Sequence, residues 1–365
     1  MSIIENDGAA IYWDEIGRGE PLLLINGLGT TSHFWHRSRP VFAAAYRTIA
    51  LDNRGVGQSD APPGIYSISL MASDALAVLN AAGIEEAHLF GVSMGGMIAQ
   101  EFALQYPART CALVLGCTSP GGPSAVRAER KVADMLLARG MTPEQAREAI
   151  LPYIYDGDTP REKIDEDIRL RQPWLPSVEG YMAQLQAILA WESYSRIAQI
   201  TAPTLVIHGE SDALIPPANG ELIAQQVPGA RLILLKHASH LFLTDQTEAA
   251  NKEILEFLWS HAGSDANGNR KVISPIPPGE QAQSRHSRQA IHDHQNNLFD
   301  EFSERGYHRA HCEDATLRTA GRGEIASSHS ASPREKFARI RCRPRNRAEV
   351  GRARLCSVRR RCFLY

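Results

Sequence analysis

The 365-residue sequence contains no long apolar run. Its uninterrupted apolar segments, such as 22–25, have the length of a β-strand, whereas a membrane-spanning helix needs about 18 apolar residues or more. Residues 1–8 include two acids, no Lys or Arg, and no apolar stretch of the kind that a secretory signal contains. We therefore expect no transmembrane segment, no membrane partner and a cytoplasmic location.

Cysteine is also scarce, with six residues in the whole chain. This number is too small for a disulfide-stabilised scaffold of this length. Cys111 and Cys117 lie in an apolar segment typical of a buried strand, so we expect reduced, structural thiols. The remaining four lack the paired spacing of a zinc finger or ribbon, and we predict no metal site; they are Cys312, Cys342, Cys356 and Cys362.

Basic side chains are few in the first part of the chain and abundant in the last. Residues 1–264 hold 19 basic and 30 acidic side chains, whereas residues 265–365 hold 20 basic ones, 18 of them Arg, and 11 acidic ones. This basic tail also has few apolar residues and no sustained periodicity, so we predict that it is largely disordered.

Two interpretations of the basic tail compete. One is an arm that binds nucleic acid or an acidic surface. The other is a non-adapted extension, such as a readthrough or out-of-frame product. The second is favoured because an Arg-rich, Lys-poor composition with scattered His, Cys and Ser is what unselected translation of a high-GC reading frame tends to give. We therefore expect no nucleic-acid partner.

Strand-length apolar segments alternate with helical patterns in residues 1–264. Near-continuous hydrophobicity is typical of strands that are covered on both faces. The six predicted strands are 22–26, 48–52, 87–91, 112–117, 204–209 and 231–235. Helical patterns occupy 69–82, 94–106 and 249–261. This alternation predicts an α/β fold with a mostly parallel, doubly wound sheet.

Residues 119–200 interrupt the alternation. They carry amphipathic helical patterns and no good strand, with one apolar stripe formed by Tyr181, Leu185, Ile188 and Leu189. We predict a helical lid at 119–200 that is inserted into a sheet domain formed by 1–118 and 201–264. The basic tail, 265–365, follows this domain.

A candidate nucleophile lies in the segment Gly-Val-Ser-Met-Gly at 91–95, between a predicted strand and a predicted helix. A serine on such a turn is held in strained backbone geometry, and flanking glycines leave room for the close approach of strand and helix. The bare pattern is weak because chance produces it readily. Its position in the chain and the additional Gly96 favour Ser93 as a nucleophile over an ordinary glycine-rich turn.

A serine hydroxyl needs a base within hydrogen-bond reach and a group that orients this base. Asp212 follows the predicted strand 204–209, and His240 follows the strand 231–235. Side chains at the carboxyl ends of parallel strands reach one edge of the sheet. The order Ser, Asp, His along the chain is the one expected for an α/β scaffold of this kind.

Four other residues compete for these roles. Glu210 is the rival acid, and His237, in the same short loop as His240, is the rival base. Because His88 and His208 lie within predicted strands, we interpret them as core or supporting histidines rather than as bases.

Backbone N–H groups are the predicted donors to a developing oxyanion. One belongs to Met94, which follows the serine at the start of a helix; the other belongs to Leu28, in the loop Asn-Gly-Leu-Gly at 26–29. A plain tight turn is the alternative for this loop. Its position after a neighbouring strand favours the functional interpretation.

Charged and aromatic residues supply further candidates. For Asp52, Arg54 and Asp60 a structural role, with Arg54 in an ion pair, is favoured over substrate binding. Three tryptophans are candidates for lining an acyl pocket, with packing in the core as an equal alternative. They are Trp35, Trp174 and Trp191.

Taken together, these segments resemble an α/β-hydrolase fold serine hydrolase over roughly residues 9–262. The resemblance is carried by 26–29, 52–59, 91–95, 209–212 and 239–240. Within that family, residues 87–122 and the surroundings of His240 are most similar to the 3-oxoadipate enol-lactonase and carboxylesterase branch. The loop at 26–29 departs from the family because it begins with Asn-Gly where His-Gly is more frequent. Ser239 stands where glycine often precedes the histidine.

The resemblance implies hydrolysis of a small ester, thioester or lactone by Ser93, His240 and Asp212, without a cofactor. A serine nucleophile argues against haloalkane dehalogenases and epoxide hydrolases, which use Asp. Carbon–carbon bond hydrolases and cofactor-free haloperoxidases share the triad and stay open as alternatives. A non-catalytic receptor for a small ligand on the same scaffold is a further alternative, and the sequence predicts no oligomeric state.

Overall fold

The computed structural model describes residues 2–136 and 141–261, and the basic tail lies outside these residues. The strands are β1 (Ser2–Asn6), β2 (Ala9–Ile16), β3 (Glu20–Ile25), β4 (Tyr46–Leu51), β5 (Ala87–Val92), β6 (Thr110–Gly116), β7 (Thr204–Gly209) and β8 (Arg231–Leu235). The helices are α1 (Arg39–Phe42), α2 (Ile68–Ala81), α3 (Met94–Gln105), α4 (Arg130–Met135), α5 (Pro143–Ile154), α6 (Arg161–Arg171), α7 (Val178–Ala190), α8 (Ala218–Gln226), α9 (Phe242–Asp245) and α10 (Thr247–Ser260).

The strands form one sheet in the order β1-β2-β4-β3-β5-β6-β7-β8. β3 to β8 pair in parallel, whereas β2 pairs antiparallel with both β1 and β4. All six strands expected from the sequence are present, which confirms a mostly parallel sheet. The order reverses around β3, so helices cross on both faces, as doubly wound sheets require.

The N-terminal hairpin of β1 and β2 was not among the predicted strands. Its turn consists of Asp7 and Gly8, whose φ angles are 43° and 71°, and Asn6 pairs with Ala9 across it. Asp-Gly is typical of the two-residue turn that joins antiparallel strands, because both positions need positive φ. This dipeptide, with the alternating residues before it, was the signal for the hairpin.

Each face of the sheet buries its own apolar layer. On one face, residues of α2 and α3 pack against side chains such as Leu23, Leu89 and Leu113. On the other face, α1 and α10 cover side chains such as Leu24 and Phe90. Every residue of β5 is buried, so this strand lies at the centre of the core. The carboxyl end of β5 is therefore a rigid place for a functional side chain.

The connection from β6 to β7 contains α4, α5, α6 and α7. Within its described part, an isolated bridge between Gly121 and Glu192 is the only strand-like pairing. Gln184 of α7 accepts a hydrogen bond from Gly29 N–H and donates one to the carbonyl of Arg54, at 2.9 and 2.8 Å. These helices therefore rest on the loops that follow β3 and β4. In the described ranges no helix has the length and apolar character needed to cross a membrane.

Candidate active site

Ser93 lies on the turn between β5 and α3, with φ 55° and ψ −121°. A positive φ is rare for a residue that has a side chain, and neighbouring contacts hold this one in place. Ser93 N–H donates to the carbonyl of Gly116 at 2.9 Å, and Thr118 Oγ1 donates to the carbonyl of Ser93 at 2.7 Å. The end of β6 therefore fixes the turn on which Ser93 stands.

The glycines around Ser93 are required by close backbone packing. A Cβ atom at Gly91 would collide with the carbonyl oxygen of Gly95, and one at Gly95 would collide with the carbonyl oxygen of Ile25. A Cβ atom at Gly96 would lie 2.6 Å from Cβ of Thr118. Larger residues at these positions would push α3 away from the sheet and shift the turn.

Asp212 and His240 form a hydrogen-bonded pair, with 2.8 Å between Oδ2 of Asp212 and Nδ1 of His240. Both side chains are buried, and the second carboxylate oxygen accepts from the N–H groups of Leu214 and Ile215 at 2.9 and 2.8 Å. Since a carboxylate only accepts, Nδ1 of His240 carries the hydrogen. The other ring nitrogen, Nε2, is therefore the one that can accept a proton when the ring is neutral.

His208 adds a second imidazole to the same carboxylate. Its Nε2 lies 3.2 Å from Oδ2 of Asp212 and 2.8 Å from the carbonyl oxygen of Ile215. Both partners are acceptors, so Nε2 carries the hydrogen in this buried ring. Burial raises the pKa of Asp212, but His240 and His208 outweigh this effect and lower the pKa to about 2. The carboxylate is therefore ionised at neutral pH.

Ser93 and His240 line one cavity of about 880 Å³, between the sheet edge and the helices α4 to α7. Among the described contacts there is no direct hydrogen bond between Ser93 Oγ and the His240 ring. In unliganded sites such bonds are often long and tighten when substrate binds. The structure thus brings serine, histidine and aspartate to one place, with the Ser–His contact open.

Two unpartnered N–H groups flank Ser93. Leu28 and Met94 both line the cavity, and within the described residues neither backbone N–H has a hydrogen-bond acceptor. The loop of Leu28 lies against the turn, since a Cβ atom at Gly27 would be 3.3 Å from Cβ of Ser93. Free donors beside a nucleophile are the arrangement that stabilises an oxyanion.

Asn26 has a structural role at the position where the family more often has histidine. Its Nδ2 donates to the carbonyl of Leu51 at 2.7 Å, and its Oδ1 accepts from Nε1 of Trp35. The side chain thus ties the loop after β3 to the end of β4 and to the core, so it positions the backbone of Leu28 rather than facing substrate.

Two of the three candidate pocket tryptophans lie elsewhere. Trp35 is completely buried in the core beside Phe90, and Trp191 is buried with its Nε1 donating to Glu101 at 2.8 Å. Neither lines the cavity, so they are not the pocket residues that the sequence offered as candidates, and the equal alternative, packing in the core, applies to both. Trp174 does line the cavity and stacks on His33, with 4.8 Å between ring centroids.

The competing acid and histidines from the sequence do not line the cavity. His237 and Glu210 are exposed, and Nδ1 of His237 lies 3.0 Å from Oδ2 of Asp158. His88 is buried beside Glu20, with 3.2 Å between Nε2 and the carboxylate. Among the described side chains, Asp156, Asp158 and His237 are close enough together to share a metal ion, but they are largely exposed and lie outside the cavity.

The charges at 52–60 are structural, as the sequence favoured. Arg54 and Asp74 form a buried ion pair, with 2.6 Å between Nε and Oδ2. Asp52 accepts from the N–H groups of Ser32 and Gln58 at 2.7 and 2.9 Å. None of these side chains lines the cavity, so they shape the loops beneath the insertion.

Asp245 links the loop before His240 to the insertion. Its Oδ2 accepts from the N–H groups of Ser239 and Asp156 at 2.8 and 3.3 Å, and its Oδ1 accepts from Thr159 Oγ1 at 2.6 Å. Burial raises the pKa of this carboxyl to about 6, despite these hydrogen bonds. No local signal in the sequence indicates this link.

A doubly wound sheet that presents a serine on the turn after its fifth strand is the architecture of the α/β hydrolases. The family model described as "Alpha/beta hydrolase family" matches residues 22–253, and the chain belongs to this family. It is thus a hydrolase of the α/β-hydrolase superfamily, which confirms the resemblance drawn from the sequence.

The chain is 31% identical to a protein of Azorhizobium caulinodans that carries the name carbamate hydrolase RutD, over 70% of this chain and 98% of that protein. It is 34% identical to a 2-hydroxy-6-oxononadienedioate/2-hydroxy-6-oxononatrienedioate hydrolase of Burkholderia vietnamiensis, over 68% and 90%. The crystal structure of the enol-lactonase from Burkholderia xenovorans matches with a TM-score of 0.64 and 27% identity, over 70% of this chain and 99% of that one.

Proposed function

We propose that this protein hydrolyses a small carboxylic ester, thioester or lactone through an acyl-enzyme intermediate. The observation that carries the proposal is that His240, hydrogen-bonded to Asp212, lines the same cavity as Ser93 on its positive-φ turn. A neutral imidazole oriented by a buried carboxylate is the base that a serine nucleophile needs.

In the proposed reaction Ser93 Oγ attacks the substrate carbonyl carbon, and its proton passes to Nε2 of His240. Asp212 keeps the imidazole in the required tautomer and stabilises its positive charge. The N–H groups of Leu28 and Met94 donate to the oxyanion. His240 then protonates the leaving group, and water, activated by the same imidazole, releases the acid from Ser93. These steps need no cofactor.

An ester or lactone is favoured over other bonds by the wall of the cavity and by the structural relatives. The wall near Ser93 is largely apolar, with side chains such as Met97, Leu151 and Leu241, and suits a small acyl or lactone group. The enol-lactonase matches this chain over 99% of its own length. Because other relatives bear the names of carbamate and carbon–carbon bond hydrolases, these substrates belong in the same test.

The experiment uses the full chain and a fluorophosphonate probe, followed by a panel of p-nitrophenyl esters, thioesters, lactones, a carbamate and a vinylogous 1,5-diketone. We expect labelling and ester or lactone hydrolysis by the wild type and neither by Ser93→Ala. Ser69→Ala is the control, since Ser69 is exposed and does not line the cavity.

Three results would contradict the proposal. Ester hydrolysis that survives in Ser93→Ala would exclude Ser93 as the nucleophile. A folded wild type that neither takes the probe nor hydrolyses any substrate would instead favour a ligand receptor on this scaffold. Turnover of the carbamate or diketone alone, dependent on Ser93, would keep the triad and reject the ester or lactone.

A further inference from the structure

The insertion gives the cavity a positively charged wall. Four arginines line it: Arg127, Arg130, Arg147 and Arg171. Of the described residues on the cavity wall, none is Asp or Glu. A low-dielectric cavity whose formal charges are all of one sign attracts ligands of the opposite sign. Arg127 and Arg130 are exposed, whereas Arg147 and Arg171 are partly buried.

Arg147, on α5, has no ion-pair partner among the side chains that the structure describes, those of Pro143 and Glu144 aside. Its Nη1 donates to Oε1 of Gln172 at 3.1 Å, and its Nε is buried without a hydrogen-bond partner. An unpaired charge that is removed from water destabilises a protein unless something compensates for it. A ligand anion in the cavity would provide this compensation.

Arg171, at the end of α6, is part of the same cavity wall. Its Cζ lies 5.3 Å from the centroid of the Phe34 ring, which also lines the cavity, and its Nε is buried without a partner. Asp167 lies 3.6 Å from Nη2 of Arg171, but it also pairs with Arg37 at 3.2 Å. Arg37 has a second carboxylate partner, Glu166, at 2.5 Å, so Arg171 retains Asp167 as a counter-ion at 3.6 Å and offers its unpartnered Nε to a ligand.

We propose that the cavity selects substrates that carry a carboxylate remote from the scissile carbonyl, and that Arg147 and Arg171 bind this carboxylate. The inference rests on the proposed function, since it describes the substrate class of the same site. Guanidinium groups present parallel N–H donors that match the two oxygens of a carboxylate. Apolar side chains such as Ile150 and Ile168 line the same cavity and suit the hydrocarbon of such a substrate.

The kinetic test compares two esters of equal acyl length, mono-p-nitrophenyl adipate, which bears a free carboxylate, and p-nitrophenyl hexanoate. Wild-type protein is expected to show a kcat/KM for the adipate about tenfold or more above that for the hexanoate, because charge-assisted hydrogen bonds are the strong ones. Arg147→Gln and Arg171→Gln should each reduce this ratio by about tenfold. Arg169→Gln is the matched control on α6, since Arg169 is exposed and does not line the cavity.

A binding test gives an answer that does not depend on catalysis. Monomethyl adipate, an anion, and neutral dimethyl adipate are titrated into full-length Ser93→Ala protein by calorimetry. The monoester should bind about tenfold more tightly, and the difference should shrink in the Arg147→Gln background. Where either Gln variant fails to fold, Arg147→Lys and Arg171→Lys retain the charge without the paired donors and are expected to keep part of the preference.

Equal kcat/KM values for the two esters, equal binding of the two adipates, or equal losses for both substrates in the arginine variants would overturn the inference. If one of these results is obtained but the hexanoate is still hydrolysed in a Ser93-dependent manner, the inference fails and the proposed function stands. If no ester is hydrolysed and the probe does not label Ser93, the proposed function fails, while the adipate titration still decides whether the arginine wall binds a carboxylate.

Discussion

Nε2 of His208 lies 3.2 Å from Oδ2 of Asp212, the same oxygen that accepts the hydrogen bond from His240. His208 is completely buried, next to the last residue of β7 and four residues before Asp212. Both neighbours of its Nε2 are acceptors, so this nitrogen donates and His208 can hold the carboxylate in place. A buried carboxylate gains from every such donor, because charge-assisted hydrogen bonds are stronger than neutral ones.

Replacing His208 by Leu should lower kcat by on the order of tenfold, with little change in KM, because Asp212 loses a donor that helps to orient it. The carbonyl of Ile215 also loses its partner, so the free energy of unfolding should fall by about 1–3 kcal/mol. Steady-state kinetics and urea unfolding measure the two effects. His208→Gln, which keeps a donor near the position of Nε2, should restore much of kcat; equal kcat values for the Leu and Gln variants would exclude a positioning role.

Ser93→Gly should be more stable than Ser93→Ala, because both lack the hydroxyl and only glycine adopts the backbone conformation of the turn without strain. Strain of this kind amounts to about 1–3 kcal/mol, partly offset by the greater entropy of glycine in the unfolded chain. We expect a net difference of about 1 kcal/mol in urea unfolding. Equal stabilities would mean that the turn relaxes in the absence of the serine.

The stability of the protein should depend on the ionisation of Asp245, whose pKa is raised to about 6. Because the folded-state pKa lies above the ordinary value, this group contributes stability that is fully present below about pH 4 and is lost as the pH rises through 6. Asp245→Asn removes the titration and retains an acceptor for Ser239 N–H. Relative to wild type, the variant should gain up to about 3 kcal/mol between pH 4 and pH 7.

Urea unfolding of both proteins at several pH values measures this difference, and the comparison cancels the titration of the other carboxylates. Glu256→Gln is the control, since Glu256 is exposed on α10. Parallel stability profiles for Asp245→Asn and wild type would show that Asp245 titrates as an ordinary carboxyl.

The buried pair of Arg54 and Asp74 should be far more sensitive to the loss of one member than of both. Arg54→Met leaves a carboxylate without its counter-ion in the core, and we expect the free energy of unfolding to fall by about 3–5 kcal/mol. The double variant Arg54→Met/Asp74→Leu should recover at least half of this loss, because no buried charge is left. Urea unfolding of the two single variants and the double variant makes the comparison; additive losses would contradict it.

The central strands and the candidate Ser-His-Asp residues were predictable because their signals are local. The apolar segments of β3 to β7 mark strands buried on both faces, whereas the edge strand β8 is only partly buried, and a serine between glycines marks the turn after β5. Asp212 and His240 follow β7 and β8 directly, so the parallel order of the sheet brings them to one edge. The apolar segments were sufficient to predict the strands, and the position just after a strand was sufficient to predict the site residues.

Residues whose roles depend on contacts between distant segments were harder to predict. Trp35 and Trp191 look like pocket residues in the sequence, yet they donate to Asn26 and Glu101 in the interior. His208 is recognisable as a strand histidine, but its contact with the aspartate depends on the turn that follows β7. The hydrogen bond from Thr159, in the insertion, to Asp245 joins two segments far apart in the chain, so no local signal in the sequence indicates it.

The amino-acid sequence by itself determined the alternation of strands and helices, the strained turn at Ser93 and the chain order of Ser93, Asp212 and His240, because these follow from periodicity and from the backbone freedom of glycine. Only the tertiary structure decided which side chains line the cavity, which imidazoles share the carboxylate of Asp212, and that Arg147 and Arg171 belong to a cavity wall on which no described residue is Asp or Glu. These properties arise from packing between segments far apart in the chain, and the free energy of such contacts depends on distance, burial and charge in three dimensions.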